Sequence, residues 1–187
     1  MEFIEEIKVL ENTFHHNEDF ITMITNSKVL LTNIPHVDST PLEELYIKAI
    51  TRYVASNTLS SYIVSAHDKP LNENYHNILK RIINENNISL VINLCNTKSS
   101  TSDITYEQVQ PKEFDYVLIK ELEDAFHEVN ITKDEKVVVE SPILKDLNID
   151  VIQVGINENA RDIEGEKLKH ICDALINYIK MFTNYSD

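Results

Sequence analysis

Lys28-Val29-Leu30-Leu31-Thr32-Asn33-Ile34-Pro35-His36 is the stretch on which the reading of this 187-residue chain turns. From Lys28 to Ile34 it is almost wholly apolar, and Pro35 closes it because proline has no N–H to give a β-ladder. A short run of this kind, bounded by a turn signal, reads as a strand buried on both faces with a loop at its C-terminal end. Similar runs recur at residues 61–66 (SYIVSA), 89–94 (SLVINL) and 150–156 (DVIQVGI), with a short β-branched run at 136–139.

Helical patterns lie between these runs. Thr40-Pro41-Leu42-Glu43 has the makings of a helix start: a capping hydroxyl, proline at the first turn and a glutamate for a capping box. Leu42, Leu45, Tyr46, Ala49, Ile50, Tyr53 and Val54 then share one face. A second helix starts near Glu73, with Tyr75, Ile78, Leu79, Ile82 and Ile83 as its stripe, and Asn86-Asn87 ends it. Residues 115–129 form a third, with Val117, Leu118, Leu122, Ala125 and Phe126 roughly in line. Residues 164–182 form the last, burying Leu168, Ile171, Cys172, Leu175, Ile179 and Phe182. Residues 97–110, rich in Ser, Thr and charge, read as a long loop. The segment before Lys28 fits either a strand pair or a short helix. Apolar strands alternating with amphipathic helices predict an α/β fold: a mostly parallel mixed sheet with helices on both faces. One domain is expected over residues 1–187, with its core at about 28–183.

Composition removes several functions. Hydrophobic residues are 42% and charged residues 26%, ordinary for a chain with a core. Lys and Arg total 17 against 31 Asp and Glu, a net charge of −14. That balance repels phosphate backbones and anionic lipid, so neither nucleic acid nor membrane is an expected partner. No apolar run approaches the ~20 residues of a membrane span, and the acidic N-terminus lacks the order of a signal peptide. The 2 cysteines, Cys95 and Cys172, are too few for a disulfide scaffold, which makes a reducing, cytoplasmic setting the expectation. With 2 glycines, Gly155 and Gly165, there is no glycine-rich phosphate loop and no G-x-S-x-G elbow.

In parallel sheets the ligand crevice forms at the C-terminal strand ends. His36 and Asp38, the loop 67–72 with Asp68 and Asn72, the pair Cys95-Asn96 and the segment 157–162 with Arg161 all fall there. Histidine, thiolate and carboxylate are zinc ligands, and three of them plus water make a catalytic centre. Each residue also has an ordinary explanation. Asp38 can cap a helix, Asp68 and Asn72 can stabilise a turn, and Cys95 can pack as a small hydrophobe.

At these positions the chain resembles the N-formylglutamate amidohydrolase family, related in fold to zinc carboxypeptidases. The family's strand ending in Pro-His-Gly-Gly corresponds to residues 29–37, with Pro35-His36. Its Asp-x-Asn loop ahead of a Tyr-His helix corresponds to Asp68 and Asn72 before Tyr75-His76. Its Asp-Leu-His-Gly strand end corresponds to Asn93-Leu94-Cys95-Asn96. Its late Gln-x-Glu-Ile-Asn strand followed by arginine corresponds to Gln153-Val154-Gly155-Ile156-Asn157 and Arg161. These intervals cover residues 29–182. The resemblance implies a zinc ion held by His36, by a carboxylate three residues on and by the residue at position 95. It also implies a general base at position 155 and a carboxylate-binding Arg161.

The departures fall on that chemistry. Ser39 stands at the carboxylate position with Asp38 beside it, Cys95 stands in place of histidine, and Gly155 stands in place of glutamate. General-base help is worth roughly 10²–10⁴-fold, and glycine cannot supply it. Glu158 is the nearest replacement. Three readings stay open. The first is a non-catalytic amidohydrolase-like protein binding a small acidic or peptide-like ligand or a protein partner. The second is a zinc-dependent C–N hydrolase rebuilt on His36, Asp38 and Cys95 with Glu158 as base and Arg161 on the substrate. The third is a cysteine-dependent enzyme in which Cys95 works with His36 or His67.

Overall fold

A computed structural model of the chain describes residues 3–12, 20–35, 44, 46–65, 73–97, 102–110, 116–127, 129–133, 142–161 and 166–185. In chain order the described elements are α1 (Phe3–Asn12), β1 (Phe20–Met23), β2 (Val29–Asn33), α2 (Ile47–Thr58), β3 (Ser61–Ser65), α3 (Glu73–Glu85) and β4 (Leu90–Thr97). After them come β5 (Ile104–Gln110), α4 (Tyr116–Ala125), β6 (Ile131–Lys133), α5 (Pro142–Lys145) and β7 (Asp150–Asn157). A 3-10 turn (Glu158–Arg161) and α6 (Glu166–Tyr185) complete them.

The seven strands form one sheet in the order β1-β3-β2-β4-β7-β5-β6. Its centre, β3-β2-β4-β7, is parallel. β1 runs antiparallel to β3, and β5 runs antiparallel to β7. The α/β class with a mostly parallel mixed sheet is therefore the observed one.

Period-two alternation sends successive side chains of each strand to opposite layers. Val29, Leu31, Leu90, Ile92, Leu94, Ile152 and Val154 pack with Ile50 and Val54 of α2, Leu122 of α4 and Leu168, Leu175 and Ile179 of α6. Leu30, Ile63, Val91 and Val151 face the other way, onto Tyr75 and Leu79 of α3 and Leu144 of α5. All these aliphatic side chains are fully buried, each contributing about 1.5–3 kcal/mol of transfer free energy. Tyr75 is anchored at both ends: its hydroxyl accepts from the Thr32 hydroxyl and donates to the Ile63 carbonyl at 3.1 Å.

Four sequence expectations need correction. The stretch 97–110 is not one long loop, because residues 104–110 form β5. Ile104 and Tyr106 face the core, while Thr105 and Glu107 take the opposite face, so the polar character belongs to one side of a strand. Cys95-Asn96 is not a loop either. The β4–β7 ladder runs unbroken from Leu90↔Asp150 to Thr97↔Asn157 and carries both residues inside a strand. The helix expected at Thr40 begins at Ile47 in the described residues, after Tyr46 in a left-handed conformation (φ 66°) with no side-chain cap. The chain before Lys28 holds both a helix and a strand rather than one or the other. The capping stretch 40–43 and the β-branched run 136–139 lie outside the described residues.

Candidate functional site

β2 connects to β3 on one side and β3 connects back across to β4 on the other. The strand order therefore reverses between β2 and β4. In open α/β sheets such a reversal is the place where a ligand crevice forms beyond the carboxyl ends of the strands. Backbone pairing of β2 with β4 ends at Thr32↔Asn93. Past that point two carboxamides continue the job. Asn93 Oδ1 accepts from Ile34 N at 2.7 Å, while its Nδ2 donates to Ile34 O and to Gln153 Oε1, both at 3.1 Å. Asn33 Nδ2 donates to Leu94 O at 2.9 Å. All four hydrogen-bonding positions of a carboxamide cannot be matched by a carboxylate, which only accepts when ionised. Asn93 is thus fitted to its place as a donor.

A charged cluster sits beside these amides. Glu44, buried, accepts from Asn33 Nδ2 at 3.3 Å on Oε2 and from Asn96 N at 3.4 Å on Oε1. Arg161, 4% exposed, donates from Nη2 to Asn96 Oδ1 at 2.7 Å and from Nε to Asn157 O at 3.4 Å. Asn96 therefore joins a buried anion on one side to a buried cation on the other. Arg161 is held by the 3-10 turn that continues β7, and it is the one buried arginine among the described residues.

Cys95 lies next to this cluster, on the face shared with Asn93, Gln153 and Gly155. Its Sγ donates weakly to Val154 O at 3.9 Å. Burial pushes its thiol well above the ordinary range, the Glu44 and Glu107 carboxylates push further, and Arg161 opposes them. Cys95 is therefore harder to ionise than an ordinary thiol, which works against it as an activated nucleophile. Cys172, in the α6 core, is raised mainly by burial and secondarily by Asp173. We expect a thiol reagent to label neither cysteine of the folded protein in the time that labels both in urea. Fast labelling of Cys95 in the folded state would contradict this picture and favour a cysteine nucleophile.

Gly155 pairs with Cys95 on one side and Thr105 on the other. Its backbone is not left-handed, so conformational freedom does not explain it. Space does. A Cβ there would stand 2.6 Å from Thr105 Oγ1 and 2.8 Å from Thr97 Cβ. The room that a glutamate side chain would start from is taken by two threonines.

Of the residues singled out from the sequence, Cys95 lies in β4 and Arg161 bonds the side chain of its neighbour Asn96, which faces the other side of the strand. Glu158 is exposed at the first position of the 3-10 turn, three residues beyond Gly155, the register partner of Cys95. His36, Asp38, His67, Asp68 and Asn72 lie outside the described residues. Among the described residues no three His, Cys, Asp or Glu side chains gather as a metal site, and of the three expected ligands Cys95 alone is described. Sequence reasoning missed Glu44, Asn33 and Glu107. Glu44 directly follows the Glu43 assigned to a capping box, and Asn33 hides inside an apolar strand; the only signal was a polar side chain in a strand that should be wholly buried.

The sequence matches no protein-family model and no curated protein. Solved structures do match in shape. N-formylglutamate amidohydrolase from Ralstonia eutropha superposes with a TM-score of 0.62 at 9% identity, covering 89% of this chain and 98% of that one. The fold is that of an N-formylglutamate amidohydrolase. N-acetylmuramoyl-L-alanine amidase from Clostridium difficile gives 0.59 at 10% identity, covering 87% of this chain and 100% of that one. The catalytic domain of the CD27L endolysin gives 0.53 at 16% identity, covering 83% and 97%. At such identities the likeness is one of amidohydrolase-like fold.

Proposed function

We propose that this chain is an amidohydrolase-like scaffold that binds without hydrolysing, holding a small acidic or peptide-like ligand at the crevice between β2 and β4. The observation that carries this reading is the packing around Gly155. The position where the resemblance puts a general base has no side chain, and Thr97 and Thr105 occupy the room one would need. Two further departures point the same way. Asn93 replaces an aspartate and uses its amide donors fully, and Cys95 replaces a histidine as a buried thiol. A general base at position 155 would supply roughly 10²–10⁴-fold, and this chain has neither the group nor the room for it there. What persists is Arg161, whose guanidinium is fixed by Asn96 and Asn157. A fixed arginine pairs with a carboxylate in a bidentate, geometrically selective way. No nucleic acid or membrane partner enters this reading, given the net charge of −14.

The test is direct. Purified protein is exposed to zinc, dialysed and analysed for metal, beside Cys95→Ala. Both are then assayed for release of formate from N-formylglutamate and for cleavage of an N-acetylmuramoyl-L-alanine amide. The expected result is no stoichiometric zinc dependent on Cys95 and no hydrolysis above buffer. About one zinc per chain in the wild type, lost in Cys95→Ala, or hydrolysis above the buffer rate, overturns the proposal in favour of the rebuilt zinc hydrolase with Glu158 as base.

A further inference from the structure

We propose that the crevice is built for a zwitterion, a free α-amino acid whose ammonium group is received by Glu44 and Asn33 and whose carboxylate meets Arg161. This rests on the carboxylate-binding role given above to Arg161 and adds the other end of the ligand. Three observations carry it. Glu44 is 7% exposed, yet no Lys, Arg or His nitrogen stands within 4.0 Å of it among the described residues. Burying a carboxylate is costly, and among the described residues the side chain is held by neutral donors, Asn33 Nδ2 and Asn96 N. Next to it, Asn33 Oδ1 is buried and accepts no hydrogen bond. Turning the amide over does not cure this, because Nδ2 is required at 2.9 Å from Leu94 O. An oxygen placed there would face another oxygen.

An anion and an orphan carbonyl side by side call for a group that is both cationic and rich in N–H donors, which describes an ammonium. The third observation is spacing. Asn96 bonds Glu44 through its backbone N–H and Arg161 through its own Oδ1. A single residue, Asn96, therefore bridges the negative and positive receptors, as one α-amino acid carries both opposite charges. A dicarboxylate would set one of its ends against Glu44, and a diamine would set one against Arg161; both are disfavoured by like charge.

Binding to the full chain is measured by calorimetry and thermal shift with three probe sets. These are free L-alanine, L-glutamine and L-leucine, their N-acetyl derivatives (carboxylate only) and their amides (ammonium only). At least one free amino acid is expected to bind, with its N-acetyl derivative and its amide each about tenfold weaker or more, since a site with buried polar groups rejects an analogue that leaves them unpaired. Glu44→Gln is expected to shrink the free-to-acetylated ratio toward one; if that variant does not fold, the wild-type ratio decides. N-acetyl derivatives binding as tightly as the free amino acids overturn the ammonium receptor and leave the carboxylate reading standing. Amides binding as tightly as the free amino acids overturn the carboxylate reading. No binding by any probe overturns both.

Discussion

An Asn93→Asp protein is expected to lose about 3–5 kcal/mol of folding free energy at pH 7, as for a buried charge left without a partner. The reason is local. In the wild type Nδ2 donates to Ile34 O and Gln153 Oε1, both at 3.1 Å. An aspartate puts an oxygen where that nitrogen was. Gln153 can turn its amide to answer the change, but Ile34 O is backbone and cannot. The remaining repulsion, together with burial, raises the folded-state pKa of the new carboxyl above its unfolded value of about 3.9. A group raised in this way binds more protons folded than unfolded, so its penalty grows as pH rises through the interval between the two values. The deficit relative to wild type should therefore shrink on acidification, because the protonated carboxyl regains a donor for Ile34 O. Denaturant unfolding of both proteins at several pH values reads this out. A deficit under about 1 kcal/mol at pH 7, or one that does not narrow toward acid, would show that the amide is not needed as a donor.

Gly155→Glu is the second large effect. Even Gly155→Ala should cost about 1–3 kcal/mol, as overpacking does in a close-packed interior. The new Cβ meets Thr105 Oγ1 at 2.6 Å and Thr97 Cβ at 2.8 Å. Thr105 can swing its hydroxyl aside; Thr97 Cβ is fixed to its backbone. Glutamate brings the same Cβ plus a charged tail, so its loss should exceed that of alanine, and hydrolysis should not return. A double-mutant cycle separates steric from other causes. Thr105→Ala removes the nearer atom, so it should cut the cost of Gly155→Ala by a coupling term of about 1 kcal/mol. Full additivity between the two sites, or a Gly155→Glu protein as stable as wild type, would mean that the space is not limiting.

Both experiments install the residue that the resemblance would put at that position, and both are expected to harm the fold. Asn93 and Gly155 are not loose ends, because neighbouring side chains are built around them.

The four parallel strands were legible because each is covered on both faces and so is almost wholly apolar. β5 was not. Ile104 and Tyr106 alternate with Thr105 and Glu107, and the polar face lines up in register with Gln153 and Gly155 of β7, which no local pattern reveals. β1 escaped because an edge strand of 4 residues carries too little pattern. At the site, Cys95 and Arg161 were singled out through the resemblance; the structure puts Cys95 inside β4 and Arg161 on the side chain of the adjacent Asn96. Glu44 was hidden by context: among consecutive acids ahead of a helix, nothing in the sequence distinguishes the one turned inward beneath Asn33 and Asn96.

The place of β7 between β4 and β5 has a consequence for how the chain acquires its shape. β4 and β5 follow one another in sequence and run in opposite directions, yet they do not pair with each other; each is zipped to β7, which is made later. Until residues 150–157 leave the ribosome, both strands present bare edges, the kind of template on which chains stick to one another. The sheet is closed by inserting a late strand into a waiting slot, and such distant pairing is slow. Nascent copies stalled short of Asp150 are thus the form of this protein most in need of a chaperone.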